Sequence, residues 1–344
     1  MIKDLLIFKD LKKKKLMRLN NVKLKKIKGD ASFRSFYRKK INKKTSIIVF
    51  ANKEKEKNLL IYDAINKLLI KNKILAPRLF DENYRRNHIE IQDFGSNTIY
   101  NLLKKSSVNR ISLYKKSIDL LNRIQNIKQY KIKNFKGKIY NIPLYDNNKL
   151  FLEAKLFTTW YTKKFISKKK LKKINFLIHK QIKFLLSNIR LEDKVFVHRD
   201  FHVSNLIEYK NQLAIIDSQD SVFGNKAYDL ASLIDDVRFI SNDKFKEKIY
   251  NYYIKSKKKS FNQDHFFNDF EILSVLRNMK IIGIFTRLAI RDKKRIYLNL
   301  IPYAWKLIEL RMKNNKKFKI LKNILDLNFS KKIRNLKWRL IQRL

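Results

Sequence analysis

The sequence predicts an α+β fold in two lobes, a small β-rich N-terminal lobe and a larger, mostly helical C-terminal one. Three patterns carry the prediction. Strands, one helix and more strands follow one another between residues 22 and 95. Beyond Gly95 the apolar residues recur at helical spacing in four long stretches. Two short apolar runs, Val195-Phe196-Val197 and Leu213-Ala214-Ile215-Ile216, interrupt those helices, and each leads into a polar loop.

Residues 1–21 form a basic segment with weak order or a short amphipathic helix. Residues 22–49 read as short strands, with Gly29-Asp30-Ala31-Ser32 and Asn42-Lys43-Lys44 as turns. Ser46-Ile47-Ile48-Val49-Phe50 is a buried strand. Residues 54–72 place Leu59, Ile61, Tyr62, Ile65, Leu68 and Leu69 on a helix, which Ala76-Pro77 ends before Leu79-Phe80. Residues 88–94 form another strand that stops at Gly95. Helices are expected over 111–127, 150–167, 169–189 and 266–291. The lobes are then 22–95 and 96–344, with no internal repeat.

Composition removes several chemistries. The chain has 344 residues and 44% hydrophobic content, enough for a large core, and no cysteine. Disulfides, thiolate nucleophiles and cysteine-ligated zinc are excluded. Five glycines (Gly29, Gly95, Gly137, Gly224 and Gly283) cannot spell a dinucleotide fingerprint or a Walker loop, and the five histidines form no zincin motif. The net charge of +51 comes mainly from lysine, since only 19 of the 81 basic residues are arginine. In a chain rich in Ile, Asn, Phe and Tyr, that excess reads as A/T-biased codon supply at exposed positions. Nucleic acid is therefore not an expected partner, although a polyanion-binding protein on the same fold is the alternative. Leu5 to Phe8 is too short for a signal core and no run approaches a membrane span, so the expectation is a soluble cytoplasmic protein.

The acids are unevenly placed. Residues 192–236 hold nine of the 30 acids against four basic residues, a net −5 in a +51 chain. The excess points to a bound cation, and without cysteine an oxygen-ligated Mg²⁺ fits it. Within this stretch His198-Arg199-Asp200-Phe201-His202-Val203-Ser204-Asn205 has the spacing H-R-D-x-x-x-x-N after an apolar strand, and Asp217 ends the next one. Phosphoryl transfer from ATP uses such a layout. Asp200 can orient an acceptor hydroxyl and take its proton. Asn205 and Asp217 can offer oxygens to one Mg²⁺.

Together with Ile216-Asp217-Ser218-Gln219-Asp220 and Ala227-Tyr228-Asp229-Leu230-Ala231-Ser232-Leu233, this motif resembles the aminoglycoside phosphotransferase (kinase-like) family. Gly29-Asp30-Ala31-Ser32-Phe33-Arg34, the stretch from Tyr145 to Trp160, and residues Arg277-Asn278-Met279-Lys280 to Ala289 resemble its bacterial branch of N-acetylmuramate/N-acetylglucosamine kinases. The likeness spans residues 22–310. It implies a bilobed protein-kinase-like fold, Mg²⁺-ATP as cofactor, and an amino sugar phosphorylated at its anomeric hydroxyl for peptidoglycan recycling. Aminoglycoside, choline and homoserine are the alternative acceptors. The oligomeric state is left open.

The resemblance also implies site roles. Asp200, Arg199 and His198 are the catalytic candidates, with His198 ordering the loop. Ser32, Phe33 and Arg34 would cover the phosphates, and Gln92, Asp93 and Phe94 would form the adenine hinge at 91–95. Glu153, Trp160 and Asp229 are the candidates on the substrate side. Glu153 and Trp160 are expected on one helical stripe, with Trp160 as core or as sugar platform. Asp229 is expected to buttress the catalytic loop or cap its helix, and His202 to pack behind the loop or donate to phosphate. Three departures stand out. The glycine-rich loop is absent. The strand at 47–51 lacks the usual lysine, for which Lys53, Arg34 or Arg38 could substitute. Ser218 replaces the Phe that commonly follows the metal-binding Asp.

Overall fold

The computed structural model describes residues 22–27, 34–51, 58–257 and 261–336. The N-terminal lobe is one antiparallel sheet of β1 (Val22–Ile27), β2 (Arg34–Ile41), β3 (Lys44–Ala51), β4 (Leu79–Asn83) and β5 (His88–Gln92), in the order β1-β2-β3-β5-β4. The turn from β2 to β3 works because Asn42 tolerates a positive φ of 53°. From Ser46 onward β3 is buried on both faces. Ile47, Val49 and Ala51 pack with Leu59 and Tyr62 of helix α1 (Asn58–Lys71), while Ile48 and Phe50 pack with Tyr37 on the other face. Cover on both sides explains why this strand reads as an unbroken apolar run.

Helix α1 also binds the lobes together. Ile65, Leu68 and Leu69 belong to the core of the C-terminal lobe. Past the helix, the Ile215 N–H donates to the Leu75 carbonyl at 2.8 Å. In the second lobe come α2 (Ile99–Leu103), α3 (Arg110–Gln125), the hairpin β6 (Lys131–Lys133) and β7 (Ile139–Asn141), α4 (Asn147–Ala154), α5 (Thr162–Phe165) and α6 (Lys168–Ser187). The short strands β8 (Lys194–Val197), β9 (Leu206–Tyr209), β10 (Gln212–Ile215) and β11 (Val222–Asn225) follow. The remaining helices are α7 (Ala227–Ile234), α8 (Asp243–Lys255), α9 (Gln263–Ile290), α10 (Ile301–Met312), α11 (Lys319–Asn328) and α12 (Lys331–Arg334). Strand β9 pairs with β10 and β8 with β11, both antiparallel.

Helix α9 is the axis of this lobe and is buried on nearly every side. Gly283 lets it touch the backbone opposite, because a Cβ there would enter the Leu156 carbonyl and the Phe157 nitrogen. The helix expected over 150–167 is not continuous. A π turn at Phe157–Tyr161 separates α4 from α5, and its wider winding rotates Trp160 away from the Glu153 stripe. Hairpin β6–β7 and helices α8, α10, α11 and α12 went unread in the sequence.

Candidate active site

The segment 198–205 joins β8 to β9, and Asp217 leaves the end of β10. Buried carboxylates pin this segment from behind. Asp229 in the first turn of α7 accepts the His198 N–H at 2.6 Å and the Arg199 N–H at 3.0 Å. Asp236 accepts the Val203 N–H at 3.3 Å. Within the loop, His202 N–H donates to the Asp200 carbonyl (3.0 Å) and Asn205 N–H to the His202 carbonyl (2.9 Å). Arg199 and Asp217 both have positive φ, 71° and 65°. Such residues cost strain that the surrounding bonds must hold, and they gather at functional sites.

The Asp200 carboxylate accepts no hydrogen bond from the described residues. Burial alone would raise its pKa, but the charges of Lys280, His202, Arg277 and Arg199 outweigh that and hold it well below the carboxylate range. It is thus ionised and unspent. Asn205 donates its Nδ2 to the Asp200 carbonyl at 3.0 Å, which leaves its Oδ1 as a free acceptor. Asp217 is raised by desolvation and by Asp200 and Asp220, against the pull of Arg34. Arg34 reaches across from β2 to donate to Asp217 Oδ1 at 2.7 Å and to Gln219 Oε1 at 2.8 Å. The second Asp217 oxygen accepts nothing from the described residues. A carboxylate lifted by burial and then by like charges, beside a free amide oxygen, suits a hard divalent cation. Among the described residues no cluster of three His, Asp or Glu could cage a metal alone. Ligands from nucleotide and water would have to complete the shell, as Mg²⁺ prefers.

Beside Asp200 lies a charged network. Glu153 accepts from Arg199, from the Tyr145 hydroxyl and from Lys280 Nζ at 2.8 Å. Despite burial, Lys280 and Arg199 hold its pKa below the usual value. The Arg199 guanidinium also lies over the Tyr145 ring, 5.2 Å from its centre, and donates to the Asp220 carbonyl at 3.1 Å. On the sheet side, Arg38 pairs with Asp93 (2.6 and 2.9 Å) and donates to the Gly95 carbonyl at 2.9 Å. Asp93 also accepts the Gly95 N–H at 2.8 Å, which secures a turn whose glycine sits at φ 85°. The Phe94 ring stands edge-on to Tyr209, 5.0 Å away, in a small apolar cluster with Ile207, Ala214, Leu75 and Ile216.

Residues 23–260 match the model of the phosphotransferase enzyme family. The chain belongs to that family. It is 25% identical over 281 residues to an N-acetylmuramate/N-acetylglucosamine kinase of Neisseria meningitidis serogroup B, covering 80% of this chain and 81% of the relative. A choline kinase from Cryptosporidium parvum Iowa II superposes with a TM-score of 0.61 at 13% identity, over 94% of this chain and 98% of that one. An ADP-bound aminoglycoside phosphotransferase superposes at 0.58 and 17% identity, over 88% and 96%. The bilobed kinase-like fold expected from the sequence is the fold observed, and this member is a small-molecule kinase. No helix among the described residues is long and apolar enough to cross a membrane.

Against these family expectations the individual residues fall as follows. Asp200, Asn205, Asp217 and Arg34 come together where the lobes meet. Ser32, Phe33 and Lys53 lie outside the described residues. Gln92 sits at the end of β5, where its N–H donates to the Arg78 carbonyl at 2.9 Å. Ser218 is fully buried and donates to Asn66 Oδ1 of α1 at 2.6 Å, so a hydroxyl anchors the turn after Asp217 in place of a ring. Arg38 is spent on Asp93, whereas Arg34 faces the Asp217 carboxylate. His198 is fully buried, and burial lowers its pKa. His202 is pushed down to about 3, chiefly by burial and then by Arg238, so it stays neutral behind the loop.

Three expectations are corrected. Asp229 does buttress the loop through the His198 and Arg199 amides, as expected, but it is completely buried there and offers nothing to a substrate. Glu153 is saturated by Arg199, Tyr145 and Lys280, and the π turn takes Trp160 off its stripe. The acid excess is not one cation site. Asp235 is paired with Lys246 and Arg311, Asp193 with Lys226 and Glu208 with Lys116. The sequence also failed to single out Lys280 and Arg277. Their signal was their spacing, i and i+3 on a long helix, which placed both on one face.

Proposed function

We propose that this chain transfers the γ-phosphoryl group of ATP, with Mg²⁺, to the anomeric hydroxyl of N-acetylmuramate or N-acetylglucosamine. The product is a sugar 1-phosphate of cytoplasmic peptidoglycan recycling. One observation carries the reading: the Asp200 carboxylate is held ionised and has no hydrogen-bond partner among the described residues, next to Asn205 and Asp217. Asp200 orients the acceptor hydroxyl and receives its proton as the bond to phosphorus forms. An anomeric hydroxyl is more acidic than an ordinary alcohol, so a carboxylate suffices as base. Asn205 and Asp217 would hold Mg²⁺, which supplies charge neutralisation at the phosphates. Arg34 is the cation that stands in for the missing strand lysine. It lies at the N-lobe side of Asp217 and can turn its guanidinium to phosphate oxygens. The backbone of Gln92, Asp93 and Phe94 would meet the adenine edge, with the Phe94 cluster beneath the base.

The field at Asp200 also speaks to the acceptor. Lys280, Arg277 and Arg199 make it cationic, which disfavours choline and aminoglycosides and suits a neutral or anionic sugar. Incubation with Mg²⁺-ATP and either sugar is expected to give a 1-phosphate by phosphorus NMR. A 6-phosphate, or turnover confined to an amino alcohol or an aminoglycoside, would overturn the assignment. By calorimetry, Asp217→Ala is expected to abolish the Mg²⁺-dependent part of ATP affinity.

A further inference from the structure

Arg277 is a buried charge with no partner among the described residues. It is 5% exposed on α9, its Nη1 has no hydrogen-bond partner, and no ion pair engages it among the described residues. A buried guanidinium left without acceptors is costly. Acids do lie near, but their oxygens are committed. Asp229 holds the His198 and Arg199 amides, and Asp236 holds the Val203 amide and Arg238. Asp200, the third, accepts no hydrogen bond at its carboxylate from the described residues. Lys280 projects one turn further along the same helix, where Nζ bonds Glu153 at 2.8 Å and lies 3.4 Å from the Tyr228 hydroxyl. The strongest cationic influence on Asp217 comes from Arg34, on the opposite side. The phosphate side and the α9 side of Asp200 thus have separate cations.

We propose that Arg277, flanked by Lys280, is an oxyanion subsite that binds a carboxylate carried by the acceptor while Asp200 holds the acceptor hydroxyl. This rests on the amino-sugar reading above and adds a specificity determinant to it. A planar fork of N–H donors matches a carboxylate in two parallel bonds. A site built this way discriminates strongly against a ligand lacking the group. N-acetylmuramate carries such a carboxylate on its lactyl ether, and N-acetylglucosamine is the same sugar without it.

That pair of acceptors is the test. In the wild type, kcat/KM is expected to favour N-acetylmuramate. In Arg277→Gln the ratio of the two values is expected to fall about 10- to 100-fold, with Arg277→Lys between, because the charge stays and the fork is lost. Turnover of N-acetylglucosamine is expected to fall too, but by less, since Arg277 also adds to the field that keeps Asp200 ionised. Calorimetry without nucleotide reads the same loss as weaker N-acetylmuramate binding, and circular dichroism checks the fold. Equal losses on both sugars would overturn the subsite, since they would place Arg277 at the transferred phosphoryl group or in the scaffold. If the wild type acts on neither sugar, the proposed function fails separately. The subsite is then read by the thermal shift with lactate: a shift in the wild type that Arg277→Gln lacks supports it, and the same response in both rejects it.

Discussion

Asp200 and Asp235 are both ionised acids inside the C-terminal lobe, and the protein treats them oppositely. Asp235 has both oxygens taken, by Lys246 at 3.0 Å, by Arg311 at 2.8 and 3.0 Å and by Ser274 at 2.6 Å. Asp200 is held ionised by the charges of Lys280, His202, Arg277 and Arg199, yet none of them bonds its carboxylate. Direct pairing turns an acid into a fastener between helices. A cationic field without a bond keeps an acid charged and leaves its lone pairs for a ligand. A depressed pKa is common to both, whereas Asp235 is fully buried among its partners and Asp200 keeps some exposure.

The sharpest way to break this contrast is to remove each charge. Asp200→Asn keeps the shape and loses the base, so turnover is expected to fall by about 10²–10⁴-fold. Mg²⁺-ATP affinity and the melting temperature should stay near wild type. Steady-state rates beside calorimetry check it, and near-normal turnover would end the catalytic reading. Asp235→Ala should do the reverse. It leaves Lys246 and Arg311 buried without a partner, at a cost of about 3–5 kcal/mol. Urea denaturation reads that loss, while nucleotide affinity of the folded protein holds.

A smaller effect lies in pH. His202 titrates at about 3 in the fold against an ordinary 6.5. Between those values the unfolded chain takes up a proton that the folded chain refuses, so the His202 contribution to stability is lost as pH falls from 6.5 toward 3. Melting curves of the wild type and His202→Gln should converge across that window as the pH drops. A constant offset would mean that His202 is already charged in the fold. A last change is Gly283→Ala, whose methyl would clash with the Leu156–Phe157 backbone and force it or α9 to move. It should cost about 1–3 kcal/mol through overpacking. Since α9 carries Lys280 and Arg277, it should also weaken acceptor affinity more than nucleotide affinity, which separate titrations would resolve.

Much of this was legible in the chain. Strands β1 to β5, β8 and β10, helix α1, and the long helices α3, α6 and α9 follow from local periodicity, which depends only on neighbouring residues. The spacing from His198 to Asn205, with Asp217 after the next apolar run, is likewise a local pattern, since a strand, a loop and a strand suffice to bring those groups together. The sequence could also count acids between residues 192 and 236, but not say which were spent. Asp229, Asp235 and Asp236 look the same as Asp200 in a string of letters. Only the packing of α7, α8, α9 and α10 around them decides which find amides and cations. The same holds for Glu153, whose stripe was bent by a π turn, and for Arg34, which meets Asp217 across the two lobes. Arg277 is the clearest case. Its sequence neighbours are ordinary helix formers, and its lack of a partner exists only because the fold buries it where every nearby acid but Asp200 is already engaged.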